Sequence, residues 1–322
     1  MILSAGDSIM AINIISSQAV FCLAADKKYL IPAPARVRAE GRESGDVRRS
    51  GHGPDPGLKG CTGGAIMSGW TAAALIIFLA AWAVVSAVRN MAAMNQVFEA
   101  VMEEIRVCYP VAPVDPGRYS LIRVRGIMKF HVQQYRIEGV GNLSAMKVNV
   151  GLMQMLSVIV TPLEKDVPLT SLDYIYLLGR RKTYLEYFDL SAGHKEPTVL
   201  CRQKMAALSK DFGDLRDHEI KPSWQDSLLL GFLHKQGVAA DDARLFDMQK
   251  EGLEAMLELC AEAPALTGGQ SAARRQDVAA YYNSLLSRGG AAADVFRASL
   301  GEETTRDLFA RVLFGTEAGS NP

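Results

Sequence analysis

The sequence has little that would suit a nucleic-acid binder, a disulfide-stapled secreted domain or a metalloenzyme. Over 322 residues, Lys and Arg balance Asp and Glu at 35 each. No field of one sign gathers phosphates, which argues against nucleic acid as a partner. The five cysteines, Cys22, Cys61, Cys108, Cys201 and Cys260, are scattered, odd in number and without a CxxC pair. That usage suits a reducing, cytoplasmic compartment and provides neither a disulfide framework nor a zinc knuckle. The five histidines show no HExxH or HxxxH spacing, so no metal site is expected. GxSxG, P-loop and strand-following GxGxxG motifs are all missing. Generic hydrolase and nucleotide chemistries have no foothold.

One long hydrophobic run is present. Residues 65–88 read AIMSGWTAAALIIFLAAWAVVSAV, 24 positions without a charge. About 20 apolar residues cross the hydrocarbon core as a helix, so this run predicts a single-pass anchor over 65–89. Trp70 and Trp82 are placed to sit at interfaces, and Arg89 closes the run. A buried core helix and a cleaved signal peptide, with AWA and VSA as small-residue sites, are the competing readings.

Residues 1–64 differ from the rest. The segment 36–64 is rich in Arg, Gly and Pro and has little to bury, which reads as a flexible linker. A translation start at Met67 is the other reading of this preface. Orientation depends on the choice: Arg48, Arg49 and Lys59 pull the amino side inward, whereas Arg89 alone pulls the carboxyl side inward.

From Asn90 a single domain is expected to run to about residue 316, leaving 317–322 as a tail. Met94, Val97, Phe98, Val101, Met102 and Ile105 form the stripe of an amphipathic helix over 90–107, ended by Pro110, Pro113 and Pro116. Between 119 and 190 the pattern turns to strands, with Met128, Phe130 and Val132 alternating with Lys129 and His131 and further strands expected at 145–150, 152–161, 172–178 and 183–190. Short connections predict antiparallel neighbours in one sheet of five or six strands. Helices are expected at 198–212, 223–235, 241–260, 271–287 and 302–314, the last opened by a Ser299-x-x-Glu302 capping box. Strands followed by helices indicate an α+β fold, an antiparallel sheet flanked by helices, preceded by one transmembrane helix.

The chemistry-bearing residue that stands out is Asp173, a carboxylate inside the apolar strand LTSLDYIYLL. Facing a pocket, it would lose solvation and hold a proton near neutrality; at a strand end or beside Arg or Lys it would be an ordinary solvated acid. Both readings are open on the pattern alone. Gln154 and Leu156 share one sheet face, where the Gln amide could bond a ligand or the backbone. Arg180, Arg181 and Lys182 form a basic hairpin tip that fits either an acidic electron donor or plain solvent. His131 lies within a strand, and Met146, Met153 and Met155 suit either a flat apolar slot or core filling.

The stretch VTPLEKDVPLTSLD at 160–173, followed after one hairpin by EYFDL at 186–190, resembles the central strands of the ferredoxin-dependent bilin reductases, where a proline precedes the substrate-strand aspartate by five residues. VFRASLGEE at 295–303 and RVLFG at 311–315 resemble that family's closing helix, and PSWQD at 222–226 its Pro-x-Trp-Gly-Asp segment. Together these span roughly residues 127–314. The resemblance implies an α/β/α sandwich holding a linear tetrapyrrole (bilin) between sheet and helices. It also implies single electrons from ferredoxin or flavodoxin, protons from the protein, and no metal or flavin. Asp173 matches the family's proton-donating aspartate.

The chain departs from the family elsewhere. Counted back without a gap, Leu156 stands where one branch has a catalytic histidine and Ser144 where it has a glutamate, with Lys147 close by. Gly289 and Gly290 replace an Asn-Asp pair. Three functions follow as expectations: a membrane-tethered bilin reductase, a tetrapyrrole or flat-ligand binder of the same fold, and a membrane-associated interaction domain.

Overall fold

The computed structural model describes residues 69–124, 128–190 and 195–317. The expected preface at 1–64, the first residues of the apolar run and the end of the tail lie outside the described residues.

The chain is first seen as one helix, α1 (Gly69–Cys108), which fuses two segments the sequence reading kept apart. No Gly or Pro occurs between Trp70 and Cys108, so nothing interrupts its hydrogen-bond ladder where the apolar run meets the amphipathic stripe. The two halves have opposite surroundings. Leu75, Ile77, Phe78, Val84 and Val85 are exposed, whereas Met94, Phe98, Val101, Met102 and Ile105 are fully buried. Among the described residues, this is the one helix long and apolar enough to cross a membrane, by length and composition.

Nine strands follow: β1 (Val111–Val114), β2 (Leu121–Val124), β3 (Met128–Ile137), β4 (Gly141–Val150), β5 (Met153–Pro162), β6 (Leu169–Leu177), β7 (Arg180–Phe188), β8 (Arg216–Asp217) and β9 (Leu229–Val238). They form one antiparallel sheet in the order β1-β3-β4-β5-β6-β7-β9-β8, with β2 also pairing β3. The central meander is the one expected from its short turns. β9 corrects the expected helix over 223–235: only Trp224–Leu228 is a short 3-10 turn. The rest extends along β7 from Arg180–Val238 to Phe188–Leu229. β1, which contains Pro113, was not anticipated either. It lies on the sheet edge, where a residue without an N–H is tolerated.

Five helices complete the chain: α2 (Lys195–Asp211), α3 (Asp242–Glu262), α4 (Gly268–Arg288), α5 (Ala291–Leu300) and α6 (Glu302–Leu308), the last running into a π turn at Phe309–Leu313. α5 was missed, and it corrects the expected capping box. Ser299 lies in its last turn with its hydroxyl buried and unbonded, and Gly301 caps α6. Boxes do form at Ser223–Asp226 and Thr267–Gln270.

The strand period of two sorts the core into two layers. Leu156, Val158, Leu172, Tyr174, Leu185 and Tyr187 pack with α1, α2 and α3. Met146, Met155, Ile175, Tyr184 and Phe188 pack with α4, α5 and the π turn. The architecture is therefore an α/β/α sandwich of the α+β class, with α1 and the C-terminal helices on opposite faces.

Candidate active site

The site grows from three neighbouring strands on the α4–α5 face. Alternation along β6 turns Leu172 and Tyr174 toward α3 and leaves Ser171, Asp173 and Ile175 on the other side. On β5 the residue paired with Asp173 is Ser157, and on β7 it is Tyr184. Glu186 pairs with Ser171, so the two acids are diagonal neighbours on one face. These side chains open on a cavity with about 730 Å³ of atom-free space, counting the solvent at its mouth. Its helical wall comes from Tyr281, Leu285, Gly290, Ala293 and Phe314, with Phe309 and Leu313 of the π turn. The part open to a water-sized sphere is about 80 Å³, and an apolar lining with a few convergent polar groups is the chemistry of small-molecule sites.

Electrostatics within the cavity are dominated by burial. Asp173 is pushed up to about 7, first because its carboxylate has lost water and then because Glu186 lies close by. Hydrogen bonds from Ser157 and Ser171 oppose the shift; Ser171 Oγ lies 3.2 Å from a carboxylate oxygen. The carboxyl of Asp173 therefore exchanges a proton near neutrality, as a general acid must. Burial likewise raises Tyr281, whose hydroxyl accepts a 2.8 Å bond from Gln225 Nε2. Trp224 Nε1 donates to the Gly289 carbonyl at 3.0 Å, fixing the loop that carries Gly290.

Behind Glu186 stands His234 of β9, both side chains buried, with Nε2 2.8 Å from Oε1. One proton lies in this bond, between the ring nitrogen and the carboxyl oxygen. The His234 ring is further held by Phe232 at 4.6 Å and Tyr184 at 5.2 Å between centroids. Sequence reasoning passed over this pair because 48 positions separate its members. The available signal was Glu186 itself, a second acid in an apolar strand of the same texture as the one around Asp173.

The other expected site residues divide between the two faces. Asp173 and Met146 line the cavity. Ser144 shares its face but is spent on the π turn, donating to the Leu313 carbonyl at 2.9 Å. Gln154 and Leu156 are corrected: their alternation puts them under α1, where Leu156 is core and Gln154 Oε1 accepts from Asn90 Nδ2 at 2.7 Å. Ser157, one residue on, takes the position facing Asp173. Lys147 also lies on the α1 side, bonded to Asn95 and 4.2 Å above the Phe98 ring, and His131 is exposed on an outer strand. The basic hairpin tip is corrected too. Arg180 is exposed, but Arg181 is buried, 2.7 Å from Asp242 and 3.8 Å over Tyr176, and Lys182 is buried as well. Among the described residues, no group of three or more His, Cys, Asp or Glu is arranged to hold a metal ion.

No protein-family model and no curated protein matches this sequence. Solved structures do match in shape. Phytochromobilin synthase from tomato, a ferredoxin-dependent bilin reductase solved in complex with biliverdin, superposes with a TM-score of 0.57. The match covers 69% of this chain and 83% of that one, at 14% sequence identity. The sandwich is thus the fold of that bilin reductase, at 14% sequence identity.

Proposed function

We propose that the chain is a membrane-tethered reductase of a linear tetrapyrrole, with Asp173 as its proton donor. The observation that carries this reading is a buried acid, poised near pH 7, on the wall of an apolar cavity in a fold shared with a bilin-reducing enzyme. Reducing one double bond of a bilin takes two electrons and two protons. Ferredoxin or flavodoxin delivers the electrons singly, being oxidised in turn, and the protein supplies the protons. Asp173 gives the first proton to the ligand radical, regains one from solvent through the Glu186–His234 pair, and gives it as the second proton after the second electron arrives. Ser157 and Ser171 orient the Asp173 carboxyl. The helical wall excludes water, which strengthens each of these interactions.

The same cavity also supports a second reading, a bilin or other flat-ligand binder that does not reduce its ligand. Ser157 favours it, because the position facing Asp173 carries a hydroxyl that does not titrate in the working range. The exposed apolar half of α1 supports tethering in both cases.

Incubating the purified full chain in detergent with biliverdin separates the readings. A new visible band that bleaches or shifts only when reduced ferredoxin is added supports the reductase. A band indifferent to ferredoxin supports the binder, and an unchanged spectrum removes both. Extraction of membranes with carbonate tests the tether: release without detergent would show that α1 does not span.

A further inference from the structure

The end of the sheet nearest the apolar half of α1 is built unlike the other end. Asn90 is tied to Gln154 at the start of β5 and to Arg181 at the start of β7. The far end of α1 meets the β3–β4 turn, where Glu138 N donates to the Pro110 carbonyl. The exposed apolar half therefore leaves the domain beside the β4–β5 and β6–β7 hairpin tips and the end of β9. Each of these three points carries an exposed aliphatic side chain: Leu152 at 41%, Leu178 at 61% and Val238 at 54%. The first two tips touch, with Leu178 N donating to the Leu152 carbonyl at 3.1 Å, and Val238 pairs with Arg180, two residues beyond Leu178.

Leu178 is the more telling because its backbone opposes it. The hairpin closes through Leu178 at φ 50° and Gly179 at φ 80°, a two-residue turn that favours Asn, Asp or Gly at both places. Among the described residues Leu178 is the one non-glycine at positive φ, and it gains no burial for that strain. A strained, exposed leucine at a tip points to a role outside the fold. Two acids at this end are tied to the fold: Asp241 accepts from Val238 N at 2.8 Å and Asp242 pairs with Arg181. The basic Arg180 is exposed beside the apolar tips, and Arg89 follows the apolar run.

We infer that Leu152, Leu178 and Val238 form a second membrane contact, dipping into the lipid interface while Arg180 and Arg89 face the phosphate headgroups. The inference rests on α1 being the anchor. Continuity with that helix makes a bilayer, and not another protein, the occupant of this rim. Apolar tips and flanking Arg together make an interfacial site of the kind amphipathic segments use.

The test uses the full chain with Cys22, Cys61 and Cys108 replaced by Ser, reconstituted into phosphatidylcholine–phosphatidylglycerol vesicles. An environment-sensitive fluorophore is placed through Leu178→Cys, Leu152→Cys or, at the opposite end, Glu138→Cys. The expected result is blue-shifted emission at 178 and 152, quenched several-fold more strongly than at 138 by lipids carrying a headgroup-level nitroxide. Labels at 152 and 178 as water-exposed as the one at 138, in protein that resists carbonate, would overturn the second contact and leave the anchor standing. Carbonate release of the chain would overturn the anchor, and this inference with it.

Discussion

His234 Nε2 lies 2.8 Å from a carboxyl oxygen of Glu186, with both side chains buried beside the cavity. Removing one partner leaves the other a buried polar group without its hydrogen bond, at a cost of about 1–3 kcal/mol. His234→Leu is therefore expected to lower stability by that order, whereas Glu186→Gln keeps a partner for Nε2 and costs about 1 kcal/mol. Denaturant midpoints compare the two. Equal losses would show that the pair is not held as described.

Asp173 gives a pH signature with a definite sign. Its folded pKa of about 7 lies above the ordinary aspartate value of 3.8, so between those values the folded state holds a proton the unfolded state has lost. Stability accordingly falls as pH rises through that window, by up to about 1.4 kcal/mol per unit, and levels off above the folded pKa. Asp173→Asn removes the titration. The variant should match the wild type below pH 4 and exceed it increasingly up to neutrality, while losing ligand reduction and keeping ligand binding. Melting temperatures across pH, with the ferredoxin assay beside them, check both parts.

Ser157 holds the Asp173 charge from across the strand pair, and its hydrogen bond is the largest influence lowering that pKa. Ser157→Ala should push Asp173 higher still, because the anion loses a donor that the neutral acid needs less. Infrared titration of the protonated carboxyl stretch reads the shift. A downward or absent shift would remove Ser157 from the site's electrostatics.

On the opposite face α3 is pressed against β7 at Gly252. A Cβ there would lie 2.3 Å from Leu185 Cδ2, and the Gly252 carbonyl accepts a bond from the Tyr187 hydroxyl. Gly252→Ala is expected to destabilise by about 1–3 kcal/mol through overpacking, against a gain in helix propensity of about 1 kcal/mol. A variant more stable than wild type in urea would show that the contact yields.

The meander was legible because it rests on local periodicity, whereas the two helical layers and the pocket-facing Asp173 came with the family resemblance, the strand pattern leaving both placements of Asp173 open. β4 to β7 alternate or run apolar between short turns, and α3 and α4 repeat at helical spacing. β9 was not legible. LLLGFLHK at 228–235 is a short apolar run that fits a helix or a strand equally, and only its pairing with β7 decides between them. The site's second acid failed for the same reason, since Glu186 meets His234 through that pairing alone. Gln154 and Leu156 failed by register: a slip of one residue in a strand moves a side chain to the other face, and Ser157, not Leu156, looks at Asp173. Arg181 read as part of an open tip because a turn cannot announce that Asp242 of α3 and Asn90 of α1 will hold it, and Lys182 lies buried on the other sheet face.

The unbroken course of α1 makes it a ruler. With no hinge between its exposed half and the stretch buried from Met94 onward, a tethered chain as proposed above would hold its domain over the bilayer at a height set by residue count, at about 1.5 Å per residue. Seven polar residues inserted at Arg89 would add nearly two turns. They would lift the hairpin tips about 10 Å clear of the headgroups, with the domain turned by only about 20° and the cavity untouched. In the proposed tethered reductase, the distance at which a soluble electron donor would meet the protein follows from the length of one helix.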